Sequence, residues 1–240
     1  MPKWFSFGGI SSANMTNELI IHKVPALNRS ERKIDVFSVP GRDGDIILPQ
    51  DAWKNQTQEY DVYIGNGDAA EAASELVSWL YPLSGYQELR DAWETDVYRM
   101  ACFSDPMDIE SIMGKVGHVV LTFSCIPKRF LVSGQNPVTL TASDYITNPT
   151  VFTAKPLIRV SGTAGETGTI VCGGKTLGIT IPASAFMIDC ETRQAYSADG
   201  TTFYNSYISG EFPEIPQGSQ RFGITGSISS VTITPRWFRR

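Results

Sequence analysis

Apolar and polar residues alternate along most of this chain, and Gly, Pro, Asn and Asp interrupt the alternation roughly every eight to twelve residues. That is the pattern of short strands in sandwiches and barrels. Tyr60-Asp61-Val62-Tyr63-Ile64, closed by Gly65-Asn66-Gly67, is one such run. His118 to Ile126 is another, with Val119, Leu121, Phe123 and Cys125 sharing one face. A single segment changes period. Asp68 suits an N-cap, Glu71 stands at the third helical position, and Ala69, Ala72, Ala73, Leu76, Val77 and Leu80 form an apolar face, which predicts a helix over about 68–81. Tyr81-Pro82 stops it, because the residue before proline is pushed out of the α region.

Beyond residue 130 the pattern is strand throughout: Leu157 to Val160, Thr169 to Cys172, Phe186 to Cys190, Gln194 to Tyr196 and Ser227 to Thr234, with Asp199-Gly200 as a tight hairpin turn. Breakers at Ser133-Gly134-Gln135-Asn136-Pro137 and Asn148-Pro149 put a junction near Ser133. The expected architecture is mainly β. An N-terminal α+β sheet or split-barrel domain with one helix spans 1–132, and a C-terminal galectin-like or jelly-roll β-sandwich spans 133–240.

Composition narrows the function classes. Hydrophobic residues make up 42% and charged residues 19%, enough apolar material for a core and too little charge for disorder. No run approaches the roughly 18 apolar residues of a membrane-spanning helix, and Met1-Pro2-Lys3-Trp4 opens no signal-peptide run, so folding in a cytoplasm without membrane insertion is expected. Cys102, Cys125, Cys172 and Cys190 form no CxxC pair and are expected as reduced thiols. Net charge is −5, and residues 1–130 carry 12 Lys/Arg against 18 Asp/Glu, a balance of −6. Tight nucleic-acid binding needs clustered cations and is disfavoured.

Three blocks stand out when they are read together. The first is Phe5-Ser6-Phe7-Gly8-Gly9 followed by Val39-Pro40-Gly41-Arg42-Asp43-Gly44-Asp45-Ile46. The second is Tyr98-Arg99-Met100-Ala101 with the strand ending Leu121-Thr122-Phe123-Ser124-Cys125-Ile126-Pro127. The third is Asp189-Cys190-Glu191-Thr192-Arg193-Gln194-Ala195-Tyr196, then Gly210-Glu211-Phe212-Pro213-Glu214-Ile215, ending in Thr234-Pro235-Arg236-Trp237. In this order and over nearly the whole chain, the three blocks resemble the distal tail protein (Dit) family of siphophages, found in tail tips and baseplate hubs; Gly218-Ser219-Gln220-Arg221 departs from it, many members having Gly followed by Asn.

The resemblance implies a virion structural protein rather than an enzyme, needing no cofactor. It implies a homo-hexameric ring joining the tail-tube protein on one face to the tail-associated hub protein on the other, with DNA only passing through. A ring that passes duplex DNA needs a channel wider than about 20 Å. The −6 balance of the first half adds the expectation of an acidic, non-sticking channel wall.

Few residues look chemical. Gly41-Arg42-Asp43-Gly44-Asp45 reads first as a calcium loop, but it lacks the further ligands of an EF-hand. Two tight turns explain every residue there, with Pro40, Gly41, Arg42, Asp43 and Gly44 as a protein-contact loop. His22 and His118 have no carboxylate nearby in sequence, no nucleophile elbow is present, and no His and Cys spacing matches zinc. Asp189 and Glu191 read as the solvent face of a strand, and at least two of Phe203, Tyr204 and Tyr207 as core. Trp237-Phe238-Arg239-Arg240 reads as a final strand with a docked Trp and a frayed charged end. A lectin-like module gripping host-surface saccharide is the competing class.

Overall fold

The computed structural model describes residues 3–65, 69–103, 110–112 and 116–240. It falls into two compact units, Met1–Arg129 with Arg240, and Phe130–Arg239. Among the described residues it is mainly β with one α-helix.

The first unit contains β1 (Phe5–Phe7), β2 (Ile10–Ser11), β3 (Leu19–Ile21), β4 (Arg32–Phe37), β5 (Ile46–Trp53), β6 (Gln56–Ile64), α1 (Ala69–Leu80), β7 (Gln87–Asp91), β8 (Val97–Phe103), β9 (Glu110–Ile112) and the long β10 (Val116–Leu131), which runs on into the second unit. Its main sheet runs β2-β1-β7-β8-β10-β6-β3, while among the described residues β4 and β5 pair only with each other. Strict alternation drives the register. Tyr60, Val62 and Ile64 on β6, and Val119, Leu121, Phe123 and Cys125 on β10, all turn inward and are buried.

Helix α1 covers that inner face. Ala72, Leu76, Trp79 and Leu80 are buried, whereas Val77, expected on the same face, is 44% exposed. The 3.6-residue turn explains the difference, since 72, 76, 79 and 80 share one stripe and 77 lies a hundred degrees or so past 76. The indole of Trp79 donates to the Phe7 carbonyl at 3.0 Å. Phe5 stacks on Tyr60 at 4.5 Å and on Trp79 at 5.4 Å, making an aromatic centre. The N-cap expected at Asp68 and the turn at Asn66-Gly67 lie outside the described residues.

A charged network is buried beside this core. Asp91 and Arg99 are each 3% exposed, and Arg99 reaches both Asp91 (3.2 Å) and Glu94. Tyr60 donates its hydroxyl to Asp91 at 3.0 Å, Arg129 pairs with Glu94, and the N–H groups of Trp93 and Glu94 donate to the other Asp91 oxygen. Burial, with the Asp91 charge close by, raises the Tyr60 phenol well above its ordinary value.

The second unit contains β11 (Val138–Leu140), β12 (Asp144–Asn148), β13 (Leu157–Gly162), β14 (Thr167–Cys172), β15 (Lys175–Thr180), β16 (Ala185–Asp189), β17 (Gln194–Ser197), β18 (Ile208–Gly210), β19 (Gly218–Gly226) and β20 (Ile228–Thr234). Two five-stranded sheets, β11-β20-β13-β16-β17 and β12-β19-β14-β15-β18, turn Ile158, Val160, Phe186, Ile188, Ile170, Leu177, Phe222 and Val231 inward. Cys125, Cys172 and Cys190 are buried free thiols, pushed by that burial up to about 12, 11 and 12. Trp237 is docked as expected, and its close fit requires Gly134, where a Cβ would stand 2.5 Å from the Trp237 nitrogen. The frayed end is a correction. Phe238 is buried, and the Arg240 guanidinium lies 4.8 Å from the centre of the Trp53 ring.

Candidate functional site

The paired strands β4 and β5 form a ribbon that no other strand joins among the described residues. Phe37 faces Ile46, Val36 faces Ile47 and Asp35 faces Leu48, with a register shift between Arg32 and Ile34. Every residue of β4 is exposed, including Val36 at 53% and Phe37 at 52%, and Ile47 across the ribbon is 59% exposed. Two-stranded ribbons alone are marginal in water, and this one presents apolar side chains on both faces. At its base Arg32 and Arg240 both stack on Trp53, at 5.2 and 4.8 Å.

Pro40, Gly41, Arg42, Asp43 and Gly44 make up the ribbon's tip, and all five are exposed. The Arg42 N–H donates to the Val39 carbonyl at 3.2 Å, closing a turn with Pro40 second and Gly41 third. Gly41 takes φ +81°, as the third position of such a turn requires, and Gly44 takes φ +79°. Among the described residues no group of three or more His, Cys, Asp or Glu is gathered as metal ligands would be.

A second surface was not legible in the sequence. On the outer face of the main sheet the His118 Nε2 lies 2.7 Å from Asp61 Oδ1, and Tyr63 packs between His118 (4.6 Å between ring centres) and His22 (5.3 Å). Register makes the contact. His118 stands opposite Tyr63 and Val120 opposite Asp61, so imidazole and carboxylate are diagonal neighbours 57 residues apart in sequence. The signal was present in the matching alternation of 57–64 and 117–125, once the two are paired antiparallel.

In the second unit two readings are corrected. Asp189 is 8% exposed and clamped by both guanidinium nitrogens of Arg236, at 2.8 and 3.1 Å, while accepting the N–H groups of Glu191 and Thr192. It is a structural anchor rather than part of a solvent face. Burial alone would raise its carboxyl, and the Arg236 pair and the two N–H groups more than reverse this, holding it below the usual range. Phe203 and Tyr207 are 60% and 44% exposed, so of the three only Tyr204, half-buried and packed edge-on against Phe186, turns towards the core. Tight turns around Asp199-Gly200 and Asn205 hold these rings outward, with Asn205 accepting the Ala195 N–H at 2.7 Å.

No protein-family profile matches the chain, and no curated sequence does. Solved structures do. The SPP1 Dit (gp 19.1) protein, described as a paradigm of the hub adsorption apparatus of phages infecting Gram-positive bacteria, superposes with a TM-score of 0.71 at 15% identity, over 97% of this chain and 98% of that one. The chain has the Dit fold. A Bacillus thuringiensis Cry1Da tryptic core variant aligns at 11% identity with a TM-score of 0.20, over 85% of this chain and 50% of that one, a likeness that carries no argument. The Dit match spans both units, and so agrees with the resemblance read from the three sequence blocks. No helix among the described residues is long and apolar enough to cross a membrane.

Proposed function

We propose that this chain is a structural, non-enzymatic component of a phage tail tip. Six copies close into a ring joining the tail-tube protein on one face to a tail-associated hub protein on the other. The whole-chain likeness to a hub adsorption protein carries this reading. The unpartnered β4–β5 ribbon supports it, because an apolar element left bare on both faces is what a protomer awaiting its neighbour presents. The tip residues Pro40 to Gly44 then act as a protein-contact loop. DNA passes through an acidic channel without being bound, and the chain folds in the bacterial cytoplasm before joining the virion. Electron microscopy of the purified chain tests the reading. Six-fold rings with an open centre are expected, and only compact single-copy particles would contradict it.

A second reading has one observation in its favour. Phe203 and Tyr207 are exposed aromatic rings on one loop of the sandwich, suited to stacking on a host saccharide. Calorimetric titration with host cell-wall polysaccharide decides it, and absence of heat would remove it.

A further inference from the structure

A cavity of about 180 Å³ opens in the second unit, lined by Lys175, Arg193, Gly210, Glu211, Phe212 and Glu214. Backbone contacts fix its frame. Glu211 donates its N–H to the Thr176 carbonyl at 2.9 Å, next to Lys175 at the start of β15. The stretch holding Glu214 is pinned where Ala154 and Ile215 exchange N–H groups at 3.0 and 2.9 Å. Arg193 takes φ +56° in the turn between β16 and β17, which Asp189 closes by accepting the Glu191 and Thr192 N–H groups. Gly210 has to be glycine, since a Cβ there would stand 2.5 Å from the Thr176 carbonyl oxygen. A frame fixed beforehand loses little entropy when a ligand arrives.

The charges divide into a satisfied pair and an unsatisfied one. Lys175 and Glu214 are paired at 2.8 Å and neutralise each other. Arg193 and Glu211 are both exposed, and neither side chain has an ion-pair or hydrogen-bond partner among the described residues. Phe212 is half-buried, and its ring meets no other ring among them. An entering anion would meet Glu211 and Glu214, and an entering cation Arg193 and Lys175. A neutral ligand that both donates and accepts satisfies the two free charges, and a hydroxyl does so on a single atom. Phe212 offers an apolar face for the C–H groups of a ring carrying such hydroxyls. The volume lies below the roughly 300–1,000 Å³ of sites for drug-sized ligands, which limits occupancy to about one ring.

We propose that this cavity binds the terminal residue of a neutral saccharide, with Arg193 donating to its hydroxyls, Glu211 accepting from them and Phe212 packing against the ring. The site rests neither on six-fold assembly nor on Phe203 and Tyr207, which lie outside its lining.

Saturation-transfer NMR on the full chain tests it, with the methyl glycosides of glucose, galactose, rhamnose and N-acetylglucosamine as neutral probes. Methyl glucuronide, an anion, and methyl glucosaminide, a cation, carry charge on a comparable ring. An N-acetyl dipeptide amide supplies donors and acceptors without a sugar. At least one neutral glycoside should bind with a Kd on the order of 1 mM, and the charged glycosides and the dipeptide at least about fivefold more weakly. Arg193→Gly suits the positive φ and Glu211→Ala alters an exposed side chain, and circular dichroism and thermal melts confirm that both variants are folded. Each should weaken binding of the neutral glycoside at least about tenfold. Charge preference should also move in opposite directions. E211A leaves Arg193 unopposed and should bind the glucuronide better than wild type does, whereas R193G leaves Glu211 unopposed and should bind the glucosaminide better. A merely structural role for either residue would not produce those gains.

Absence of saturation transfer to every neutral glycoside at about 10 mM would overturn the site. So would binding that survives both substitutions, and its loss in a chain carrying Phe203→Ala with Tyr207→Ala would then put the sugar on the exposed loop rings instead. Preference for the dipeptide would overturn it in favour of a protein contact. None of these outcomes bears on the ring, which the mass of the assembly decides.

Discussion

Arg99 shows how much a single residue hides from the sequence. It enters the resemblance only as one letter of Tyr98-Arg99-Met100-Ala101, yet it lies 3% exposed between Asp91 and Glu94. No local pattern marks an arginine as buried, because burial here depends on carboxylates brought in from a neighbouring strand and turn. Arg99→Met keeps the volume but takes the guanidinium away from buried Asp91, and should cost about 3–5 kcal/mol, read as a lower urea midpoint. His118 has the same history, since its carboxylate partner lies 57 positions away and is delivered by register. Asp189 yields a pH prediction. Its folded-state pKa is depressed, so its contribution is present above the ordinary aspartate value of about 3.9 and is lost as pH falls through the lower folded value. Wild type should therefore lose melting temperature through that acidic window more steeply than Asp189→Asn does. Equal slopes would mean that the Arg236 clamp adds nothing.

Elements were legible where alternation was strict and hidden where it was broken. The inward face of β10 is the one expected from Val119, Leu121, Phe123 and Cys125, because a strand buried on one face must alternate. β15 and β19 carry no such signal. Gly178 interrupts the first, and Gly218, Gly223 and Gly226 with Ser219, Gln220 and Arg221 leave the second only Phe222 as a fully buried anchor. The ribbon was legible as turn chemistry at Pro40-Gly41 and Asp43-Gly44, but its isolation was not, since exposure of apolar strand residues cannot be told from burial by pattern alone. Val36→Asn with Ile47→Asn removes apolar surface that is more than half exposed on both strands. Unfolding free energy should change by less than about 0.5 kcal/mol while self-association is lost, as read by denaturant titration and light scattering. At the other end of the chain, Gly134→Ala places a methyl against the Trp237 backbone and should destabilise by about 1–3 kcal/mol, visible as a lower melting temperature.

At the scale of the whole molecule the fold and the assembly rest on different supports. The mainly β fold was within reach of periodicity, and its likeness to Dit covers both units. The proposed ring was not within reach, because oligomeric contacts would be carried by exposed residues on which a single sequence places no visible demand. What the structure adds is one unsatisfied surface, the ribbon of the first unit with apolar side chains exposed on both faces. Native mass spectrometry of the full chain over rising concentration measures closure directly. The account predicts a discrete species of six times the 26.4 kDa protomer, with few intermediates. A single-copy mass at every concentration up to about 100 μM, well above the micromolar range of specific interfaces, would contradict it.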